Sequence, residues 1–503
     1  MALAKTKAMA LFGLGGTLID VEADISSNLP NFILVGLPDA SLSEATARVR
    51  AACANSGLAL PGRRITVNLS PASVPKRGSS FDLAISMAVL AASGAVRLES
   101  VEEWLHIGEL ALDGTLRGVH GVLPSLLAAK ELGWLKFIVP ADNLAEAGAV
   151  QDITLQAFDH LTQVAAFHGS TVERISPREQ ELLVKEAVGS SPCYSDVFGQ
   201  SDVIDAMVVA ATGGHHILML GSPGSGKTMI AERLPSILPE LTPTQAIETA
   251  AVESLSGIHG SISSLPPFRA PHHNSSASSL IGGGLSIPRP GLISLAHNGV
   301  LFLDEAPEFQ QPALEALRQP LESGEVVISR AAGVARFPAR FQLVMAANPC
   351  PCGFAWDPAK NCRCVEPAKS RYLHRLSGPL LDRIDISLKV NNVPKAMQKE
   401  RGPQSSDLRE RVIAARQVGS SRLAKTPWQL NAQVPGAYLR RHWRPGAAVL
   451  ASLDAALERG TISMRGYDRC LRLAYTIADL DGSDVPRTSH IARAMFLRGA
   501  ELG

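Results

Sequence analysis

The chain has 503 residues, enough for about three domains that each bury a core. Hydrophobic residues make up 46% and charged residues 19%, and no window offers the ~18 uncharged apolar residues of a membrane span, so a soluble, cytoplasmic protein without a signal peptide is expected. Net charge is only +1, yet residues 366–503 carry 23 Lys and Arg against 13 Asp and Glu; such a basic terminal third suits either a phosphate backbone or a solvated helical face.

Residues 1–168 alternate short strands and helices and contain no phosphate-binding loop. Residues 65–69 read as a strand, 41–56 as a helix capped by Ser41 or Ser43, and 81–92 as a more apolar helix. Residues 105–117 read as two strands joined at the Asp113-Gly114 turn. The segments 75–80, 108–117 and 120–124 resemble the proteolytic domain of Lon-type proteases, with its ribosomal-S5-like fold. The resemblance puts the nucleophilic serine at Ser80 and the activating lysine at Leu123. A serine without a base is a weak nucleophile, so an inactive adaptor or assembly domain is expected.

Residues 169–193 read as a linker, with Pro177, Gly189, Ser190, Ser191 and Pro192 as breakers. An α/β ATPase domain with a parallel sheet is expected over 194–390, with an early helix at 202–212. The apolar run 216–220 reads as a buried strand. Directly after it, Gly221-Ser222-Pro223-Gly224-Ser225-Gly226-Lys227-Thr228 matches G-x-x-x-x-G-K-[ST] and opens a helix. Such a loop closes backbone N–H groups on phosphate. Lys227 is expected on the β- and γ-phosphates of ATP, and Thr228 on Mg²⁺.

A second apolar strand, 299–303, ends in Asp304 and Glu305. Asp304 is expected to orient Mg²⁺ with its waters and Glu305 to polarise the attacking water, the division of labour that phosphoryl transfer requires. Between the two strands lie His272 and His273. Neighbours in sequence seldom point the same way, so these are expected to pack or hydrogen-bond rather than bind metal. A helix follows at 311–323, then a hairpin at 325–337 that presents Arg330 and Arg336, toward a central pore in a ring or toward solvent otherwise. The strand 341–347 ends at Asn348, whose amide can hold the attacking water or the γ-phosphate.

Cys350, Cys352, Cys362 and Cys364 fall within fifteen residues. In a reducing compartment this spacing favours a structural tetrathiolate Zn²⁺ over disulfides, with reduced loop cysteines as the alternative. Arg383 stands between a helix-like run and a strand, where a ring ATPase places a finger on its neighbour's γ-phosphate, and Arg375 competes for the same role. A helical lid is expected over 391–503, beginning with a polar loop and continuing in helices near 407–421, 446–459, 463–480 and 488–500. Ser463 caps the third of these, which puts Arg465 in its first turn as a second sensor of phosphate.

Long strings resemble the YifB/ComM family of magnesium-chelatase-like AAA+ ATPases: the loop at 221–228, Phe268-Arg-Ala-Pro-His-His, 290–305, Leu317-Arg-Gln-Pro-Leu-Glu, Asn348-Pro-Cys-Pro-Cys-Gly, 377–385 and Tyr475-Thr-Ile-Ala-Asp-Leu. The resemblance implies a hexameric ring that hydrolyses ATP and moves along branched or single-stranded DNA, driving branch migration in recombination and natural transformation. It also places Gly199 and Gln200 near adenine. Tyr475 stands where the family usually has arginine, and Ala306-Pro307 departs from its usual continuation, which leaves DNA affinity open. Two other readings remain: a chelatase-type ATPase that remodels a protein partner, and an ATP-dependent protease or unfoldase.

Overall fold

The computed structural model describes residues 3–36, 42, 44–76, 78–176, 192–258, 260–284, 288–330, 333–356, 360–393, 397 and 399–499. The expected caps Ser41 and Ser43, the linker breakers Pro177, Gly189, Ser190 and Ser191, and Pro394 of the polar loop lie outside the described residues.

The N-terminal strands are β1 (Ala4–Phe12), β2 (Gly15–Ser26), β3 (Asn31–Val35), β4 (Arg64–Ser70), β5 (Leu105–His106), β6 (Glu109–Leu110), β7 (Leu116–Arg117), β8 (Lys136–Pro140) and β9 (Thr154–Phe158). Seven of them form one mixed sheet in the order β3-β4-β2-β1-β5-β8-β9. Alternation along β1 sends Ala8 and Ala10 to one core and Met9 and Leu11 to the other, so both faces of the sheet are covered. The first face receives the helix Asp82–Ser93, ten of whose twelve residues are buried. The stretch 105–117 is not one long hairpin. Leu105 and His106 join the large sheet, and only β6 and β7 pair with each other around the turn at Gly114, where φ is +90°.

The second sheet is built from β10 (Ile217–Leu220), β11 (Phe268–Arg269), β14 (Val300–Leu303), β17 (Gln342–Ala347) and β18 (Ile386–Lys389), in the order β11-β14-β17-β10-β18 and parallel throughout. Every residue of β10, β14 and β17 is buried, as expected of strands covered on both faces. Two two-stranded ribbons stand outside this sheet: β12 (Gly282–Gly283) with β13 (Arg289–Pro290), and β15 (Glu325–Arg330) with β16 (Gly333–Pro338). The expected helix at 311–323 is two short ones, Gln311–Glu315 and Arg318–Ser323. Pro320 explains the break: it has no N–H for the carbonyl four residues back, and its ring crowds that carbonyl.

The N-terminal sheet is docked on the domain of the parallel sheet at two places. The Gly121 N–H donates to the Ser254 carbonyl at 3.1 Å, at the start of the helix Val122–Glu131. Leu11, Phe12 and Leu14 at the β1–β2 turn pack on the core under the parallel sheet, and a Cβ on Gly333 would come 3.3 Å from the Phe12 ring, so the turn braces the β15–β16 hairpin.

Residues beyond 404 are helical: Ser405–Leu423, Gly436–His442, Ala447–Glu458, Met464–Leu480 and Thr488–Arg498. The helix at 436–442 was not expected from the sequence. Leu408, Val412, Leu453, Leu473 and Ile491 share a core with Ile217, Met219 and Phe302 of the parallel sheet. A buried polar chain reinforces the seam. His215 Nδ1 lies 3.0 Å from Asp385 Oδ2, and His215 Nε2 lies 2.8 Å from Thr476 Oγ1. Arg422 grips Asp479 with two 2.7 Å bonds, and Asn431 bonds both Thr476 and Asp479.

Candidate active site

Parallel strands deliver their C-terminal ends to one edge of the sheet, where α/β proteins bind ligands. Leu220 lies opposite Ala347 and Leu303 opposite Met345, so Gly221, Asn348 and Asp304 emerge within about two residues of each other along the strands. The loop itself is a nest: φ is +83° at Gly224 and +89° at Gly226, and a Cβ on Gly221 would collide with the Val390 carbonyl. Lys227, only 8% exposed, donates to the carbonyls of Gly221 at 2.7 Å and Ser222 at 3.1 Å and to Asn348 Oδ1 at 3.3 Å. Burial lowers its pKa, and the charges of Asp304 and Glu305 oppose that shift. The Thr228 hydroxyl donates to Asp304 Oδ2 at 2.6 Å.

These residues fit a nucleotide polyphosphate with Mg²⁺. Among the described residues Ser225 Oγ is buried without a hydrogen-bond partner, Thr228 and Asp304 offer adjacent oxygens, and Lys227 donates to neutral acceptors that it can exchange for phosphate. Gln200 supports the loop from behind, donating to the Ser225 carbonyl at 2.9 Å and to the Asn391 carbonyl at 3.2 Å.

Glu305 adopts φ +51° and ψ +44°, a left-handed conformation that costs a non-glycine residue about 1–3 kcal/mol and persists where its surroundings impose it. Its N–H donates to Asp304 Oδ1 at 2.9 Å, and its Oε2 lies 3.4 Å from His273 Nδ1. The adjacent histidines do not diverge as expected: their ring centroids are 4.1 Å apart, because the chain turns tightly here, with the Ser275 N–H donating to the His272 carbonyl. His273 is therefore a site neighbour that sequence reasoning passed over. Only the pairing of a loop histidine with an acidic strand end could have signalled it.

The four cysteines come together beside the phosphate loop. All four sulfurs lie within 4.8 Å of one another, with Cys350–Cys352 at 3.4 Å, Cys350–Cys362 at 3.7 Å and Cys352–Cys362 at 3.6 Å. Tetrahedral zinc with Zn–S bonds near 2.3 Å requires sulfurs ~3.8 Å apart, so the set fits that ion. The turn that joins the pairs abuts the phosphate loop, for a Cβ on Gly353 would fall 2.5 Å from the Pro223 ring.

The arginines occupy different ground. Arg383 pairs with Glu322 at 2.6 Å, and Arg465 with Asp382 at 2.8 Å. All four line one pocket of about 350 Å³ together with Leu321, Asp468, Arg469 and Arg472, so four arginines there stand among three carboxylates, and no residue of 221–228 lines it. Ser463 caps its helix as expected, accepting from the Gly466 N–H at 3.2 Å, and Asp382 offsets the charge of Arg465 in the first turn. Arg375 stands apart, 3.4 Å from Glu308. In the N-terminal region Ser80 is partly exposed and Leu123, on the helix Val122–Glu131, is fully buried.

Comparison with known proteins matches three stretches to family models: residues 21–143 to subunit ChlI of Mg-chelatase, 193–398 to magnesium chelatase subunit ChlI, and 402–498 to its C-terminal part. An uncharacterized protein of Mycobacterium tuberculosis is 46% identical over 99% of both chains. The competence protein ComM of Haemophilus influenzae is 42% identical over 99% of this chain and 98% of its own. The chain belongs to the YifB/ComM family. This YifB/ComM protein is thus an AAA+ ATPase of the magnesium-chelatase-like kind, for which ATP and Mg²⁺ are implied. Its likeness to chelatase proper is more distant: the magnesium-chelatase 38 kDa subunit of Rhodobacter capsulatus is 25% identical over 60% of this chain. Among the described residues no helix is long and apolar enough to cross a membrane.

Proposed function

We propose that this YifB/ComM protein is a cytoplasmic hexameric ring motor that hydrolyses ATP at the borders between its copies and drives branch migration of DNA during recombination and natural transformation. Lys227, Thr228 and Asp304 hold the Mg²⁺ nucleotide, Glu305 polarises the attacking water, and Asn348 steadies the γ-phosphate. Arg383 reaches the neighbouring copy's γ-phosphate, with Arg465 beside it as the phosphate sensor. The observation that carries the composite-site reading is the arginine pocket: Arg383 and Arg465 share one cavity that their own phosphate loop does not line. A cation group gathered there suits a phosphate brought by another copy.

The DNA part rests on the full-length likeness to a competence protein and on the β15–β16 hairpin, where Arg330 is exposed and donates to the carbonyls of Ser329 and Gly284, with no acidic partner among the described residues. The cysteine set takes structural Zn²⁺, and the N-terminal sheet acts as an inactive adaptor that braces the hairpin. The test is steady-state ATPase with and without branched DNA across a salt series. Strong stimulation that falls with salt is the expected result, because contacts to phosphate release counterions. Absence of stimulation would favour the second reading, a chelatase-type remodeller of a protein partner, which the family models support. The protease form is opposed by Leu123, an apolar core residue where a base would be needed.

A further inference from the structure

Between Glu410 and Asp454 the chain has no acidic residue and seven Arg or Lys, whereas an ordinary solvated surface intersperses both signs. Four of the seven are engaged within the fold. Arg416 donates to the Ala211 carbonyl, Arg422 pairs with Asp479, Arg440 with Asp468, and Arg411 lies 3.9 Å from Asp205 on the helix Ser201–Gly213. Lys425, Arg441 and Arg444 are exposed. Among the described residues Lys425 and Arg441 have no acidic partner, and Arg444 reaches only Asp454 at 3.7 Å, a carboxylate whose other oxygen already accepts from the Tyr467 hydroxyl at 2.8 Å. Aromatic rings occupy the same ground. Trp428 and Trp443 both pack edge-on to Tyr438, with ring centroids 4.8 Å and 5.4 Å from it. His442 follows Tyr438 by about one helical turn and lies against it at 4.5 Å, with the ring planes 34° apart. The three inner rings are half-buried against the hydrophobic core, and His442 is exposed. A stack that starts on the core and ends on an exposed ring leaves a flat face open to solvent, with Arg441 beside it in the chain.

We propose that this face of the C-terminal helices is a platform for single-stranded DNA: the phosphate chain runs along Lys425, Arg441 and Arg444, and an unpaired base stacks on His442. The rings narrow the choice of partner. Cations alone would suit any polyanion, but an exposed ring backed by a stack favours a flat one, and the bases of a duplex already stack on each other. Exchange of strands during branch migration leaves bases briefly unpaired. The platform holds such a strand away from the β15–β16 hairpin and hinders its re-pairing. This inference rests on the DNA reading above and adds to it a contact that a single copy can make without a ring.

The experiment follows the fluorescence anisotropy of a labelled oligothymidylate of about 20 nucleotides with the full chain, without ATP, across a salt series. An Arg330→Ala background keeps the hairpin's share small, and into it go the triple variant Lys425→Ala/Arg441→Ala/Arg444→Ala, His442→Ala and His442→Phe. Loss of three phosphate contacts should lower the slope of log affinity against log salt by about 2 and weaken binding at least ~10-fold. His442→Ala should weaken binding about five- to tenfold with the slope nearly unchanged, and His442→Phe should restore it, because phenylalanine keeps the stacking face. DNA-free ATPase should stay within about twofold of the background, since none of these side chains belongs to the phosphate loop or lines the arginine pocket. A triple variant that binds like its background overturns the platform, as does His442→Phe binding no better than His442→Ala. Photocrosslinking of wild type to the same oligomer carrying iodouracil needs no variant: adducts should map within 425–444, and adducts confined to other residues overturn the platform too. Wild type that binds neither this oligomer nor branched DNA refutes the DNA reading itself, whereas wild type that binds branched DNA but not the oligomer overturns the platform alone.

Discussion

The phosphate loop and the arginine pocket are both clusters of charged side chains, yet they are finished to different degrees. At the loop the partners already meet: Lys227 with Asn348, Thr228 with Asp304, Glu305 with His273. At the pocket, Arg383 and Arg465 are held by surface carboxylates, Glu322 and Asp382, of which Glu322 is 75% exposed. Exposed pairs of that kind are worth about 0–1 kcal/mol and yield readily to a phosphate. One region is a grip, the other a hand extended. On the proposed ring, the difference means that a single copy of this chain holds two halves of a site, which serve each other across a border between copies.

The largest break falls on the grip. Lys227→Ala should abolish ATP binding, seen as loss of fluorescent-nucleotide affinity, with turnover down at least ~10³-fold. Glu305→Gln should bind ATP normally but lose about 10²–10⁴-fold in kcat, the range for a group that handles a proton in the transition state. Arg383→Ala should lose about 10²–10³-fold in kcat while ATP affinity within an isolated copy is kept, as follows from the proposed action of the guanidinium on the nucleotide of another copy. Arg375→Ala, which removes only an exposed contact with Glu308, should change kcat by less than about threefold.

Much of the grip was legible because it is contiguous or strand-terminal. The glycine loop specifies its own nest, and fully apolar runs such as 300–303 and 342–347 identify strands buried on both faces, so Asp304, Glu305 and Asn348 fall at strand ends without further information. The cysteine spacing was readable for a similar reason. Less could be read where proximity is set by three-dimensional path alone. That Arg465 sits beside Arg383 depends on how the helix Met464–Leu480 packs against residues 382–386, and that His273 reaches Glu305 depends on a turn after the two-residue strand β11. The missed helix Gly436–His442 is short, flanked by Pro435 and Trp443, and stabilised by tertiary contacts of Tyr438 with Trp428 and Trp443 rather than by its own pattern.

Smaller effects sharpen the same contrast. Removing zinc with a chelator, or Cys352→Ser, should release one metal ion per chain and raise KM for ATP about three- to tenfold with a smaller change in kcat, because the Gly353 turn that abuts Pro223 would relax. Acid should loosen the seam behind the arginine pocket. Asp385 is buried; burial alone would raise its pKa, but the hydrogen bond and charge of His215, with Arg472 and Arg469, bring it from the ordinary 3.8 down to about 2. A depressed carboxylate pKa means the added stability is complete above about pH 4 and is lost as pH falls to about 2, amounting to roughly 2 kcal/mol. Asp385→Asn should lower the melting temperature at pH 7 and flatten its decline between those pH values, as followed by calorimetry.

The border between copies is tested most directly by mixing. Lys227→Ala and Arg383→Ala proteins, each inactive alone, are combined at equal amounts under conditions where size-exclusion chromatography shows mixed assemblies, and ATP turnover is measured. In a head-to-tail ring about a quarter of the borders then join an intact loop to an intact arginine, so turnover should rise far above the sum of the two separate proteins. Mixed assemblies that release no more phosphate than that sum would contradict the composite site.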